Sequence, residues 1–359
     1  MSRQMFAYIQ EEASCTQELL TKRKSLAQPV IDRFLNRGVD RIFLFGAGSS
    51  RNAALIAQPF IEDILQVEAT VCMPSRADTA RRFSTEKSML VLVSQGGYST
   101  NTIDAAKQCG LDRRSIIAIT ENPSSPVAQE AGILIQLPWD SPEIVGAKTK
   151  GVTCSAVVLM LAALELALAK GKIQQARYES IIAAFETFVT NHSENVRRVV
   201  GWVADNADEM KNMPALLILA QGAYLGAGME CALKLLETIY RPVTAYEFEE
   251  YLHGVGNSIG ANNNFLLALM PADSSAERMS RLVRFAEEKG SSCYTVLMNG
   301  DKPADQRQVS LISSGCDYVD SLNYLLPGQI LSSDLSEVCG YNIDKNRFED
   351  FASLMQTKA

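Results

Sequence analysis

The sequence predicts an α/β protein with two successive parallel sheets, each covered by helices on both faces. Short, continuously apolar runs recur along the chain and alternate with segments of helical periodicity. Such runs are typical of parallel strands that are buried on both faces. The alternation begins again after about residue 200, which indicates an internal duplication. The predicted fold is therefore two tandem domains, each a three-layer α/β/α sandwich around a five-stranded parallel sheet.

The first half of the chain accounts for one complete sheet. Residues 1–34 have the mixed charged and apolar pattern of an N-terminal helical segment. Five apolar runs predict strands at 41–45, 67–71, 89–93, 115–119 and 132–137. Longer periodic segments predict helices over 153–170 and 174–192. We expect the first domain to cover residues 35–195.

The second half repeats this pattern less regularly. Apolar runs predict strands at residues 215–220, 265–269, 292–297 and 317–319. A periodic segment among them predicts a helix over 275–289. We expect the second domain to cover residues 196–345, and residues 346–359 to form a C-terminal tail.

Composition argues against several classes of function. The net charge of −7 and the pI near 5.1 argue against nucleic acid as a partner. The eight cysteines are scattered without CxxC spacing, as expected of buried thiols in a reducing compartment. The first residues form no apolar leader, and the longest apolar stretch, 157–169, is interrupted by Glu165. We therefore expect a cytoplasmic protein without a membrane partner, a metal site or a cofactor.

Two loops rich in glycine and serine follow predicted strands and are candidates for holding a phosphate group. They read Gly46-Ala47-Gly48-Ser49-Ser50 and Ser94-Gln95-Gly96-Gly97-Tyr98-Ser99-Thr100. Glycines let backbone amides approach an anion, and hydroxyls supply further donors. Each loop by itself is more often a plain turn with a capping residue. Because both follow parallel strands, we expect them at one edge of the sheet, where ligands bind.

The chain contains only two histidines, so few acid–base pairs are possible. His253 follows a predicted helix on which Glu230, Lys234 and Glu237 share one face. A carboxylate near an imidazole can move a proton between the carbon atoms of a sugar. The commoner interpretation of this face is a solvated charged surface opposite an apolar stripe. We expect Glu230 to pair with Lys234, which leaves Glu237 free, and we expect His192 to be exposed between two helices.

Together these segments resemble the SIS (sugar isomerase) domain family. The segment from Glu230 to Glu237, with His253-Gly254 downstream, is similar to the second half of a double-SIS protein. Three further segments are similar to family motifs, namely Gly48-Ser49-Ser50 to Gly-Thr-Ser, Ser94-Gln95-Gly96-Gly97 to Ser-Gln-Ser-Gly, and residues 143–150 to Glu-x-x-x-Ala-Ser-Thr-Lys. The resemblance covers about residues 35–350. The most similar patterns are the isomerase domain of glucosamine-6-phosphate synthase and the fructosamine-6-phosphate deglycases.

The resemblance implies a role for each matched residue. It implies that Glu237 moves a proton between C1 and C2, and that His253 opens the sugar ring. Lys148, Glu230 and Lys234 would belong to the substrate site, with Lys148 in place of a serine of the synthase. Phe351 falls where the synthase pattern has a catalytic lysine. The predicted phosphate site consists of Ser49, Ser50, Ser94, Gln95, Gly96, Gly97, Ser99 and Thr100.

The leading hypothesis is a phosphosugar isomerase or deglycase acting on a phosphorylated amino sugar of the fructosamine 6-phosphate type. Metal-free proton transfer between C1 and C2 would lead to C–N cleavage, because this chain contains no glutaminase domain to supply ammonia. The alternatives are a simple aldose–ketose phosphosugar isomerase and a non-catalytic sugar-phosphate-binding regulatory protein. The presence of both Glu237 and His253 favours an enzyme. The resemblance also implies a homodimer or higher oligomer with a shared active site.

Overall fold

The protein contains two parallel five-stranded sheets, as the sequence predicted. The structure, a computed structural model, describes residues 2–76, 78–139, 143–144, 146–260, 263–298, 303–345 and 347–359. Contacts divide the chain into two compact units, each described here by itself. Unit A comprises residues 14–144, 150–183 and 346–359, and unit B comprises residues 1–13, 145–149 and 184–345.

The described residues form strands and helices with the following bounds. The strands are β1 (Arg41–Phe45), β2 (Glu68–Cys72), β3 (Met89–Val93), β4 (Ile116–Thr120), β5 (Ile133–Gln136), β6 (Leu216–Ala220), β7 (Val243–Glu247), β8 (Phe265–Leu269), β9 (Cys293–Leu297) and β10 (Gln308–Ser310). The helices are α1 (Arg3–Phe34), α2 (Ser49–Leu65), α3 (Asp78–Phe83), α4 (Thr100–Gln108), α5 (Pro126–Glu130), α6 (Lys150–Ala169), α7 (Gln175–Met210), α8 (Leu225–Ile239), α9 (Phe248–Leu252), α10 (Ser275–Glu288), α11 (Asp317–Asn323), α12 (Leu325–Val338) and α13 (Phe351–Leu354).

The sheet of unit A has the strand order β2-β1-β3-β4-β5. Successive side chains of its strands point to opposite faces, and both faces are covered. Phe43 and Leu92 pack on one face with Ile103 of α4, whereas Leu44 on the other face lies with Leu159 of α6 around a small apolar cavity. This double burial explains why the strand sequences are continuously apolar.

The sheet of unit B has the order β10-β9-β8-β6-β7, and both of its edge strands were missed by the sequence analysis. β7 is mostly half-buried, and β10 is only three residues long, so neither produces a continuous apolar run. The strand predicted at 317–319 is wrong, because these residues begin α11. Asp317 and Asp320 lie in the first turn of that helix, where carboxylates interact favourably with the helix dipole.

Helix α7 runs without interruption from Gln175 to Met210, through the region where a domain boundary was expected. The contact division instead falls within α1 and α7. The prediction that His192 is exposed is wrong, since only 1% of it is accessible. Its Nε2 lies 2.8 Å from the carbonyl oxygen of Ile9. Because the helix continues past His192, the imidazole lies on its buried side, and desolvation lowers the pKa of His192.

Helix α6 is a core helix of unit A. Among the described residues it is the one helix long and apolar enough to suit a membrane span, and 83% of its apolar window is buried in the protein. It packs against α2. Length and composition alone are therefore weak evidence for a span, because a buried core helix has the same properties.

Candidate functional site

The two glycine- and serine-rich loops leave the same edge of the sheet in unit A. β1 and β3 are adjacent parallel strands, with Phe45 paired to Leu92, so their carboxyl ends lie side by side. Gly46 allows the chain to turn sharply into α2, since a Cβ there would lie 2.8 Å from the carbonyl carbon of Ser50. The turn places Ser49 and Ser50 in the first turn of a 17-residue helix. Such a helix start can bind an anion through its free backbone amides.

The second loop adds backbone amides and hydroxyls beside this helix start. Gly97 has a φ of 78° and a Cβ there would lie 2.1 Å from Oγ of Ser125, so only glycine fits. Within the described residues, the amides of Gly96 and Gly97 donate no hydrogen bond. Ser99 is the N-cap residue of α4, but its side chain makes no capping bond. These groups are therefore available to a ligand such as a phosphate.

Gln95 has a different environment from its neighbours in the loop. Its Nε2 donates to Oε2 of Glu143 at 3.1 Å and to Oε2 of Glu121 at 3.2 Å. A Cβ at position 151 would lie 2.0 Å from Oε1 of Gln95, so the glycine there leaves room for the Gln95 amide. Trp139 donates to the same oxygen of Glu121 at 2.7 Å. The Gln95 side chain is thus engaged by two carboxylates and fixes the base of the loop.

The tail of the chain lies against the same loop. Ala359 N donates to the carbonyl oxygen of Tyr98 at 2.8 Å, and Thr100 N donates to that of Thr357 at 3.3 Å. These bonds form an antiparallel bridge between Ser99 and Lys358. Few apolar contacts hold this segment, since Leu354 just before it is 71% exposed. The tail is therefore held chiefly by hydrogen bonds.

The lysine that the structure pairs with this loop is not at the position that the sequence analysis singled out in the tail. Phe351, which falls at the offset of the synthase lysine, lies in the short helix α13 and is 53% exposed. Lys358 is the residue paired with Ser99. A motif offset did not reveal this, because backbone pairing rather than sequence spacing places the lysine at the loop.

Two of the three charged residues of α8 in unit B are buried, contrary to the solvated face that is commoner for such a pattern. Glu230 and Lys234 are each 1% exposed, whereas Leu236 in the apolar stripe is 46% exposed. The helix packs against β6, β7 and α12. The approach of α12 is close, because a Cβ on Gly328 would lie 2.5 Å from Sγ of Cys231. The neighbouring elements therefore bury the face that carries the charges.

Lys234 contacts both carboxylates, so the expected Glu230–Lys234 pair is present but the expectation that Glu237 is left free is wrong. Nζ of Lys234 lies 2.5 Å from Oε2 of Glu237 and 3.5 Å from Oε1 of Glu230. Glu237 has 37% of its side chain exposed. A buried ammonium therefore fixes one oxygen of a carboxylate that remains accessible to a ligand.

His253 also lies in unit B and is exposed. It caps the end of the short helix α9, and its amide donates to the carbonyl oxygen of Glu250 at 3.1 Å. Tyr251, which is fully buried, holds α9 against the core. Within the described part of the chain, the imidazole makes no hydrogen bond, so both of its nitrogens are available.

Lys148 is half-buried and belongs to a short segment that is grouped with unit B, whereas the serine loops belong to unit A. The structure therefore brings the predicted residues together in two sets, one in each unit. Across the residues that the structure describes, no group of three or more His, Cys, Asp or Glu side chains is arranged to hold a metal ion.

The fold and the loops define the class, a parallel α/β protein whose candidate ligand site lies at the carboxyl ends of adjacent strands. Residues 37–170 match the family model of the SIS domain, which confirms the resemblance inferred from the motifs.

Glutamine–fructose-6-phosphate aminotransferase (isomerizing) from Caldanaerobacter subterraneus subsp. tengcongensis is 24% identical over 317 residues, covering 86% of this chain and 51% of that protein. The chain thus spans about half the length of the curated relatives it matches.

Two solved structures share the fold over nearly the whole chain. A provisionally named phosphosugar isomerase from Clostridium difficile 630 is 23% identical with a TM-score of 0.87, covering 100% of this chain and 99% of that one. The C-terminal domain of glucosamine-fructose-6-phosphate aminotransferase from Francisella tularensis is 19% identical with a TM-score of 0.84. The match covers 96% of this chain and 99% of that one. These similarities extend the fold of the family beyond residues 37–170 to unit B.

Proposed function

We propose that the protein is a phosphosugar isomerase or deglycase that acts on a phosphorylated amino sugar of the fructosamine 6-phosphate type. The relatives and solved structures that share its fold are named for reactions of sugar phosphates, two of them for an amino-transferring isomerase. The observation that carries the proposal is the accessible carboxylate of Glu237, held by the buried ammonium of Lys234. A protein that only senses a sugar phosphate has no need of such a pair.

The phosphate of the substrate is assigned to the two loops of unit A. Ser49, Ser50, Ser94 and Ser99 supply hydroxyls, and Gly96 and Gly97 supply amides. The predicted hydroxyl of Thr100 is instead engaged by the tail, because Oγ1 of Thr100 donates to the carbonyl oxygen of Gln356 at 2.8 Å. In a chain with a net charge of −7, local donors must hold an anion because the overall field repels it. The side chain of Gln95 serves to fix the loop through Glu121 and Glu143. The tail bridge between Ser99 and Lys358 would then cover the bound phosphate and bring a cation to it.

The chemistry is assigned to Glu237 and His253. In the open-chain ketosamine, the carbonyl is at C2 and the amine is bound to C1. His253 donates a proton to the ring oxygen to open the ring, and Glu237 then removes a proton from C1. Reprotonation at C2 moves the double bond to C1–N, which gives an imine. Water adds to C1 of the imine, the C–N bond breaks, and the amine leaves together with a hexose 6-phosphate.

Lys234 and Glu230 have supporting roles in this scheme. Lys234 fixes Oε2 of Glu237, and Glu230 balances the charge of the lysine inside unit B. Lys148 is assigned to the sugar as an additional cation. We further propose that the protein is a homodimer in which the site is completed by the neighbouring subunit, which suits the exposure of His253.

The test is mass spectrometry of the products after incubation with a panel of hexose 6-phosphates and fructosamine 6-phosphates. Release of a free amine and a hexose 6-phosphate from a fructosamine 6-phosphate is expected. Interconversion of aldose and ketose phosphates without amine release would instead identify a simple isomerase. If no substrate of the panel is converted but several bind, the catalytic assignment fails and a binding protein remains.

A further inference from the structure

A charged cleft of about 600 Å³ lies in unit A at the amino ends of the strands, whereas the serine loops lie at their carboxyl ends. It is lined by residues that precede the strands, including Arg37 before β1, Thr85 before β3 and Ser115 before β4. The serine loops, in contrast, follow the carboxyl ends of β1 and β3. Parallel strands place these two sets of loops at opposite edges, so the cleft is distinct from the proposed sugar-phosphate site.

Arg33, near the end of α1, lines this cleft with a partly buried side chain. Only 13% of its side chain is exposed. Its Nη2 donates to Oγ of Ser115 at 2.9 Å. Its Nε–H is buried and has no acceptor among the described residues. A buried donor without a partner is costly, particularly when it carries a charge, so the guanidinium is set to receive an acceptor.

Protein carboxylates do not fully balance this charge. Asp112 lies 3.7 Å from Nη2 of Arg33, but it is bound by Arg114 through Nε at 2.9 Å and Nη2 at 2.6 Å. The hydrogen bond from Arg114 lowers the pKa of Asp112 to about 2. The carbonyl groups at the end of α1 are also occupied, because Nζ of Lys170 donates to those of Phe34 and Leu35. Asp112 is therefore bound more closely by Arg114 than by Arg33.

Arg37 adds a second positive charge to the same cleft. Burial and the charge of Arg37 both lower the pKa of Arg33, which indicates that the two guanidiniums repel each other. Arg37 is exposed, and within the described part of the chain its guanidinium makes one long hydrogen bond, of 3.5 Å, to the carbonyl oxygen of Glu86. The carboxylate of Glu86 also lines the cleft and opposes an anion. Two guanidiniums and two carboxylates thus line the cleft, and one of the carboxylates, Asp112, is paired with Arg114 outside it.

We propose that this cleft binds a phosphate group, either as free phosphate or as part of a phosphorylated metabolite, with Arg33 and Arg37 as its ligands. An oxyanion between the two guanidiniums accepts hydrogen bonds from their terminal nitrogens and relieves the repulsion between the charges. The hydroxyl of Ser84, on the wall of the cleft, supplies a further donor. The volume of about 600 Å³ leaves room for more than the phosphate itself.

The test is isothermal titration calorimetry of the full chain with inorganic phosphate. The cleft and the serine loops should appear as two separate classes of phosphate-binding site in the isotherm, called the cleft component and the loop component. Arg33→Gln and Arg37→Gln are each expected to weaken the cleft component by about tenfold to a hundredfold, as expected for the loss of a charged hydrogen bond. Arg177→Gln removes an arginine that is 49% exposed and does not line the cleft, so it should leave both components unchanged. Ser99→Ala should leave the cleft component intact.

Glu86→Gln provides a test that a folding defect cannot imitate. Removal of the opposing carboxylate should tighten phosphate binding in the cleft by about threefold to tenfold. Titration with AMP separates the two sources of phosphate. Tighter binding of AMP than of inorganic phosphate, lost in Arg37→Gln, assigns the cleft to a phosphorylated metabolite, and weaker binding assigns it to free phosphate. Identical titrations for the wild type, Arg33→Gln and Arg37→Gln would overturn the proposal.

Discussion

Glu237→Gln separates the catalytic role of α8 from its structural role. The substitution keeps the shape of the side chain and removes the negative charge that is proposed to accept the proton from C1. A positioned general base contributes about 10²–10⁴-fold to a rate, so kcat should fall by roughly that factor. Because the phosphate is assigned to other residues, KM for a phosphorylated substrate should change little.

The structure also sets the expected effect on stability. Glu237 is 37% exposed, so its ion pair with Lys234 is screened by solvent and contributes about 0.2–1 kcal/mol to the free energy of unfolding. Glu230 is 1% exposed, and Glu230→Gln removes a carboxylate from a buried ammonium. Loss of one partner of a buried pair costs about 3–5 kcal/mol. We expect the lower end of that range, because Lys234 retains Glu237.

The assays are steady-state kinetics on the substrate identified by product analysis and urea unfolding of each variant. Glu249→Gln is the matched control, since Glu249 is 43% exposed and paired with Arg278 on the surface of unit B. It should change neither kcat nor the free energy of unfolding by a measurable amount. Wild-type kcat in Glu237→Gln would refute the mechanism and favour a sugar-phosphate sensor.

Four further predictions follow from the loops, the tail, the oligomer and His192. Ser94→Ala should raise KM about tenfold by removing one hydroxyl of the phosphate site, and an unchanged KM would remove Ser94 from it. Deletion of residues 356–359 removes the hydrogen bonds to Tyr98 and Thr100 and should raise KM several-fold. The free energy of unfolding in urea, measured as the control, should stay the same. The Glu237→Gln and His253→Ala proteins are each expected to be inactive. When they are mixed, each mixed dimer should regain up to about one intact site if the two groups come from different subunits. No recovery of activity after verified subunit exchange would place the site within one chain. Burial lowers the pKa of His192 below its ordinary value of 6.5, so the unfolded state binds the proton first. The free energy of unfolding should therefore hold above about pH 6.5 and fall as the pH drops below it, and His192→Gln should lose most of that slope just below about pH 6.5.

The apolar strands are the part of the fold that the sequence predicts best. β1, β3 and β4 are buried on both faces, and a strand in that position is apolar at nearly every residue. The edge strand β7 needs no such run, and its residues Val243–Glu247 are mostly half-buried. Periodicity therefore identified the centres of both sheets and missed the two edges of the second.

Local sequence also determined which loops carry the candidate phosphate donors. Glycine at position 97 is required by a positive φ and by the contact with Ser125, and the loops follow strands that can be recognised from their apolar residues. Because neighbouring parallel strands end at one edge, the proximity of the two loops follows from the order of the chain.

Tertiary packing alone decided the environment of each charged group. The spacing of Glu230, Lys234 and Glu237 places them on one face of α8, but the burial of that face depends on α12 and on the contact of Gly328 with Cys231. Sequence spacing likewise does not place Lys358 opposite Ser99, because hydrogen bonds between distant backbone segments make that pairing. Contacts within a helix or loop are fixed by nearby residues, whereas burial and long-range pairing depend on elements that meet only in the folded chain.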